Sequence, residues 1–78
     1  MFDEEALKRV MTAVLRVPAG DIGPETSTDT IPAWDSLRHM NLILALEQEF
    51  NVSIPDEDAA NLSSYALIKL VLTELTED

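Results

Sequence analysis

The sequence predicts an all-α fold, a small four-helix bundle with three main helices and a short third helix. Three observations carry this. Apolar residues recur at helical spacing in three stretches. Capping or helix-breaking residues bound each of them. No stretch alternates apolar and polar residues as a half-buried strand does. The 78 residues support a single domain, 1–78. A chain of that size buries roughly 60% of its unfolded surface, which allows one modest core. With 46% hydrophobic residues it has enough apolar material to fold.

Residues 3 to 16 are expected to form the first helix. Leu7, Val10, Met11, Val14 and Leu15 make one apolar stripe. Asp3, Glu4 and Glu5 occupy its first turn and Arg16 its last, as the helix dipole favours, and Pro18 and Gly20 stop it. Residues 17 to 35 read as a long connection with Ile22, Ile31 and Trp34 as apolar anchors. A connection that long is usually functional or ordered by its own contacts.

Residues 36 to 50 form the second helix, with Asp35 as its N-cap and Asn51 at its end. Residues 56 to 61 form the short third helix, opened by Pro55 and the solvated acids Asp56, Glu57 and Asp58. Residues 64 to 76 form the last helix, capped by Ser63 or Ser64. Its core stripe is Ile68, Val71, Leu72 and Leu75, widened by Leu67 and Leu70, and Glu74, Glu77 and Asp78 make an acidic end.

The second helix has two apolar stripes, each about 100° wide at 100° per residue. His39, Leu42, Ile43, Leu46 and Phe50 form a core stripe, with His39 as a buried structural residue. Ser36, Leu37, Met40, Leu44 and Glu47 form the other. One small core can cover only part of a helix, so the second stripe is expected to be partly exposed, as an interaction surface is. Leu37 and Met40 packed under the long loop are the alternative. Ser at a helix start is ordinarily a cap, but here Asp35 can cap and leave the Ser36 hydroxyl facing outward. A phosphate ester on that oxygen would sit at the positive end of the helix.

Composition removes several function classes. Five Lys and Arg against 15 Asp and Glu give a net charge of −10, which repels nucleic acid and anionic membranes and favours basic patches on partner proteins. There is no Cys, hence no disulfide, no thiolate nucleophile and no Cys-type metal site, and the one His is His39. The opening Met1-Phe2-Asp3-Glu4-Glu5 is acidic where a secretory signal is basic, and the apolar run Leu42-Ile43-Leu44-Ala45-Leu46 is too short to span a membrane. A cytoplasmic monomer without membrane insertion or a metal site is the expectation.

Trp34-Asp35-Ser36-Leu37 at the mouth of an apolar helix resembles the attachment site of the acyl carrier and peptidyl carrier protein family. Leu42-Ile43-Leu44-Ala45-Leu46-Glu47-Gln48-Glu49-Phe50 is similar to that family's second helix, and Ile54-Pro55-Asp56-Glu57 to the start of its short third helix. The resemblance covers essentially the whole chain and implies the bundle of acyl-carrier-protein type. It implies that Ser36 bears a covalent 4′-phosphopantetheine derived from coenzyme A, with Asp35 as the motif acid beside it. Leu37, Met40 and Leu44 match the apolar contacts made with partner enzymes, and Glu47 an acidic contact with their basic patches.

The resemblance further implies a phosphopantetheinyl transferase, a loading acyl or aminoacyl ligase, and downstream synthases or transferases as partners. The role is to hold an acyl or aminoacyl group as a thioester and present it to those enzymes, with no catalytic residue in the carrier itself. Arg38 and Asn41 stand where fatty-acid carriers usually have carboxylates, and Pro32-Ala33-Trp34 replaces a small, Gly-containing approach. Both departures favour a dedicated pathway, such as polyketide, nonribosomal peptide, lipid or cell-envelope modification, over general fatty-acid biosynthesis. The alternatives are an unmodified helical interaction module and, last, a small hydrolase built on Ser36, for which no elbow or triad is present.

Overall fold

Asp3 nucleates the first helix by accepting hydrogen bonds from the Glu5 and Ala6 amides at 3.1 and 3.2 Å. In the computed structural model, which describes residues 2–76, α1 then runs over Glu4–Leu15. It ends earlier than the sequence predicts. Arg16 adopts a left-handed conformation with φ 59°, and its amide bonds the Thr12 carbonyl at 2.9 Å. Arg16 therefore lies outside the last turn, and the chain has left the helix before Pro18 and Gly20. The turn satisfies an otherwise orphaned carbonyl, at roughly the 1–2 kcal/mol a non-glycine residue spends in that region.

The connection over residues 17–35 is ordered from within. A 3₁₀ turn spans Ala19–Asp21. Buried Thr26 accepts from the Gly23 amide at 2.8 Å and donates to the Asp21 carbonyl at 3.1 Å. Thr30 closes a second small ring, accepting from the Ser27 amide at 2.9 Å. Ile22, Ile31 and Trp34 are buried in the common core, as their spacing suggested. A short antiparallel bridge pairs Ser27 with Ser64, through Thr28 N–H to the Ser63 carbonyl at 3.0 Å and Tyr65 N–H to the Thr26 carbonyl at 2.8 Å. The loop is thereby fixed to the start of the last helix.

Helix α2 covers Ser36–Phe50 and α3 covers Asp56–Asn61, both at the predicted bounds. Asn51, with φ 54°, ends α2. Helix α4 covers Tyr65–Thr76, and of the two candidate caps Ser64 does the work, its Oγ accepting from the Leu67 amide at 3.2 Å. Leu7, Met11 and Leu15 of α1, Leu42, Ile43 and Leu46 of α2, and Tyr65, Ile68 and Leu72 of α4 build one core with the loop anchors. Phe2 stacks on Phe50 with ring centroids 5.6 Å apart.

The sequence assigned α4 too broad a core face. Val71 is partly buried, but Leu67, Leu70 and Leu75 are exposed, because the core is filled from the side that Tyr65, Ile68 and Leu72 face. Glu74 is exposed in α4, and the expected acidic end at Glu77 and Asp78 lies outside the described residues. Among the described residues no helix is long and apolar enough to cross a membrane.

A polar clamp joins the first and last helices. The Tyr65 hydroxyl donates to Glu4 Oε2, and Lys69 Nζ lies 3.3 Å from Glu4 Oε1. The Tyr65 bond first, and Lys69 second, hold the Glu4 carboxyl below its ordinary value, whereas burial and then Glu4 push the Tyr65 phenol up. A carboxyl lowered on folding contributes stability above its unfolded pKa, and that contribution is lost as the pH falls through the folded one. Acid titration followed by circular dichroism should therefore show a loss of stability below the ordinary carboxylate range. The part due to Glu4 should vanish in Glu4→Gln, and identical acid profiles for the two proteins would exclude this role.

Candidate functional site

The site is built at the junction of the long loop and α2. Trp34, buried in the core, fixes where the loop arrives. Asp35 follows in extended conformation, and its Oδ1 accepts from the Arg38 amide at 2.9 Å. The cap oxygen therefore comes from Asp35. Ser36 is the first residue of α2 and is exposed. Its hydroxyl stands at the end of the helix where backbone N–H groups and the dipole favour negative charge, by about 0.3–1 kcal/mol near a surface.

The two stripes of α2 separate in the structure. Leu42, Ile43 and Leu46 are buried, while Leu37, Met40 and Leu44 are 69%, 64% and 57% exposed. Leu37 and Met40 therefore do not pack under the loop. Large apolar side chains left in water on one face, next to Ser36, form a contiguous surface of the kind that partners cover. Glu47, on the same stripe, is half-buried, and its Oε2 accepts from the Ile54 amide at 2.8 Å, so part of its carboxylate is engaged within the fold.

Arg38 makes a contact that the sequence does not announce: its guanidinium Nη1 donates to the Leu15 carbonyl at 3.3 Å, at the C-terminal end of α1. A cation there complements the negative end of that helix. Arg38→Ala should lower stability by about 0.5–1 kcal/mol in a urea melt. Asn41 is exposed and neutral, so a charge can be introduced there without disturbing this contact.

His39 is half-buried rather than fully in the core. Its Nδ1 accepts from Trp34 Nε1–H at 3.0 Å, and its Nε2 lies 2.7 Å from the Ala59 carbonyl. Both ring nitrogens are thus occupied, and the imidazole is not placed to take a proton from Ser36. Among the described residues no cluster of His, Asp and Glu could hold a metal ion.

Two concavities flank Ser36 and Met40. One, about 530 Å³, includes Thr28, Trp34, Ser36 and Ser63 in its lining. The other, about 340 Å³, lies between α2 and α3 with Ile43, Leu44, Ile54 and Ala59 among its walls. His39, Met40 and Ala60 line both. Ile54, Ala59 and Ala60 were not singled out from the sequence as site residues. The available signal was the pair of small residues in α3, Ala59 and Ala60.

An exposed serine at an uncluttered helix N-terminus, with room beside it, fits a long substituent attached through a phosphate. The family model for the phosphopantetheine attachment site matches residues 5–69, well over half of the chain. The protein belongs to this family of phosphopantetheine-binding carriers, whose members bear 4′-phosphopantetheine covalently and work with phosphopantetheinyl transferases and synthase enzymes.

Proposed function

We propose that Ser36 is the attachment residue, and that the chain is a non-catalytic carrier of acyl or aminoacyl groups in a dedicated biosynthetic pathway. The observation that carries this reading is the exposed Ser36 at the first position of α2, relieved of capping by Asp35. When bound, the arm supplies a terminal thiol, which the cysteine-free chain lacks. The residues around Ser36 then have separable tasks. Asp35 holds the helix start, and the free end of α2 stabilises the phosphate charge. The Leu37, Met40 and Leu44 stripe offers apolar contact to whichever enzyme is to act on the cargo. Tethering replaces a bimolecular encounter between cargo and enzyme by one at high effective concentration.

Catalysis by Ser36 itself is disfavoured because the one histidine is committed to Trp34 and Ala59. The net charge of −10 favours partners with basic docking surfaces, a transferase and a loading ligase first among them. Arg38 and Asn41 in place of the carboxylates usual in fatty-acid carriers support a specialised set of partners. The direct test is intact mass after incubation with coenzyme A, magnesium and a broad-specificity transferase. One added phosphopantetheinyl group per chain is expected, and an unchanged mass under conditions that modify another carrier would refute the assignment.

A further inference from the structure

Helix α1 has an outer face that the reading of Ser36 leaves unused. Leu7, Met11 and Leu15 are buried in the core, so Glu5, Lys8, Arg9, Thr12 and Ala13 fall on the side turned away from it. These positions follow one another at one- and three-residue steps, a straight stripe of about two turns and about 12 Å along the axis. Together with Ala19 of the 3₁₀ turn they line a concavity of about 520 Å³. The Thr12 hydroxyl oxygen is shielded from solvent and has no hydrogen-bond partner among the described residues, so Thr12 presents its methyl group outward. The walls are therefore mostly carbon: that methyl, Ala13, Ala19 and the aliphatic stems of Lys8 and Arg9. Neither Ser36 nor the stripe of Leu37, Met40 and Leu44 borders this concavity.

The charge of the face is opposite to that of the molecule. The chain carries a net −10, yet residues 6–20 hold Lys8, Arg9 and Arg16 and no Asp or Glu. Arg38 joins them at the Leu15 carbonyl, which brings four of the five Lys and Arg residues to α1 or its C-terminal end. Lys69, the fifth, is paired with Glu4. Among the described residues no carboxylate lies within ion-pair distance of Lys8 or Arg9, although Glu5 stands three and four positions before them. A basic partner drawn to the acid-rich remainder of the surface is repelled here, whereas an acidic one is drawn here alone. Solvated cations by themselves are ordinary on a surface. Cations around a carbon-walled concavity are complementary to an apolar side chain flanked by carboxylates, and a straight stripe of this length fits a facing helix.

We propose that the outer face of α1, with the 3₁₀ turn, is a second docking surface, which takes an acidic amphipathic helix of a partner protein: an apolar side chain enters the concavity and carboxylates meet Lys8 and Arg9. A second copy of the chain is disfavoured as the occupant by repulsion between two bodies of charge −10. The docking does not depend on Ser36. Where Ser36 bears its arm, a protein held through α1 leaves the α2 stripe free, so the carrier stays attached to one protein while others act on its cargo.

The test is an amide NMR titration of the unmodified full chain with a synthetic amphipathic helix, leucine along one face and glutamate on both flanks. Shifts should concentrate on Lys8, Arg9, Thr12, Ala13 and Ala19, and binding should weaken several-fold from low to moderate salt. The same peptide with glutamine for glutamate, or with serine for leucine, should bind at least about fivefold more weakly. Arg9→Glu reverses a rim charge, and Ala13→Glu sets a carboxylate one turn from Arg9; each should lower affinity by about fivefold or more. Both positions are exposed, so the spectra should otherwise match the wild type. Should Ala13→Glu disturb the helix, Arg9→Gln removes the charge alone and should give a smaller loss in the same direction. Without peptide the chain should sediment as a monomer. No binding, shifts centred on α2 or spread over the molecule, equal binding of either control peptide, or variants that bind as the wild type does would each overturn the proposal. Self-association abolished by Arg9→Glu would also overturn it, by assigning the face to a second copy.

Discussion

Ser36→Ala will remain at its unmodified mass under conditions in which the wild type is fully converted, and it will melt almost where the wild type does. The two halves of this result have separate causes. With the proposed attachment at Ser36, conversion needs that residue's hydroxyl oxygen, and alanine removes it. Stability is spared because the capping bond to the Arg38 amide comes from Asp35 Oδ1, not from Ser36. An exposed residue that makes no structural contact changes stability by about 0.5 kcal/mol or less. Asp35→Ala is the informative contrast, since loss of the cap should cost about 1 kcal/mol while leaving the hydroxyl in place. Intact mass and a thermal melt on the three proteins decide the matter. Added mass on Ser36→Ala would move the attachment elsewhere in the chain, and a large drop in its melting temperature would show that Ser36 has a structural duty.

Leu46→Ala and Met40→Ala should have opposite effects although the two residues lie on the same helix. Leu46 is fully buried in the core to which α1, α2 and α4 all contribute, whereas Met40 is 64% exposed. Truncating a buried leucine costs about 2–5 kcal/mol through lost burial and a residual cavity. In a domain of this size each kcal/mol is worth roughly 4–8 °C in melting temperature. Leu46→Ala should therefore lower the melt by roughly 8–40 °C and could unfold the chain at 37 °C. Met40→Ala, and Leu44→Ala with it, should stay within about 0.5 kcal/mol of the wild type. Their expected effect is on recognition, a loss of about fivefold or more in transferase or synthase binding if either side chain anchors the contact. Melts and binding titrations on the same samples separate the two. If Met40→Ala and Leu44→Ala lost as much stability as Leu46→Ala and no partner binding, the exposed stripe would have no claim to be a docking surface.

The helical content of the chain was legible because its signals are local. Asp35, Asn51, Pro55 and the runs of apolar residues at three- and four-residue spacing set the bounds of α2 and α3 within the segment that forms them. The two faces of α2 were legible for the same reason: a helix with two apolar stripes beside one small core must leave one of them outside. The Ser36 region could be read because a short polar motif at a helix mouth is contiguous in sequence.

Only the tertiary structure decided the rest. Helix α4 is apolar almost all round, so nothing within it says that Tyr65, Ile68 and Leu72 face the core while Leu67, Leu70 and Leu75 face water. That choice belongs to the surfaces it meets. The end of α1 at Arg16 depends on a left-handed turn that no glycine announces. Arg38 reaches across 23 positions to Leu15, Tyr65 across 61 to Glu4, and His39 across 20 to Ala59. Periodicity tells which face of a helix is apolar, but the partner of a polar side chain is set by where the whole chain brings another donor or acceptor. A hydrogen bond is satisfied only within about 3 Å, and sequence separation carries no information about that distance.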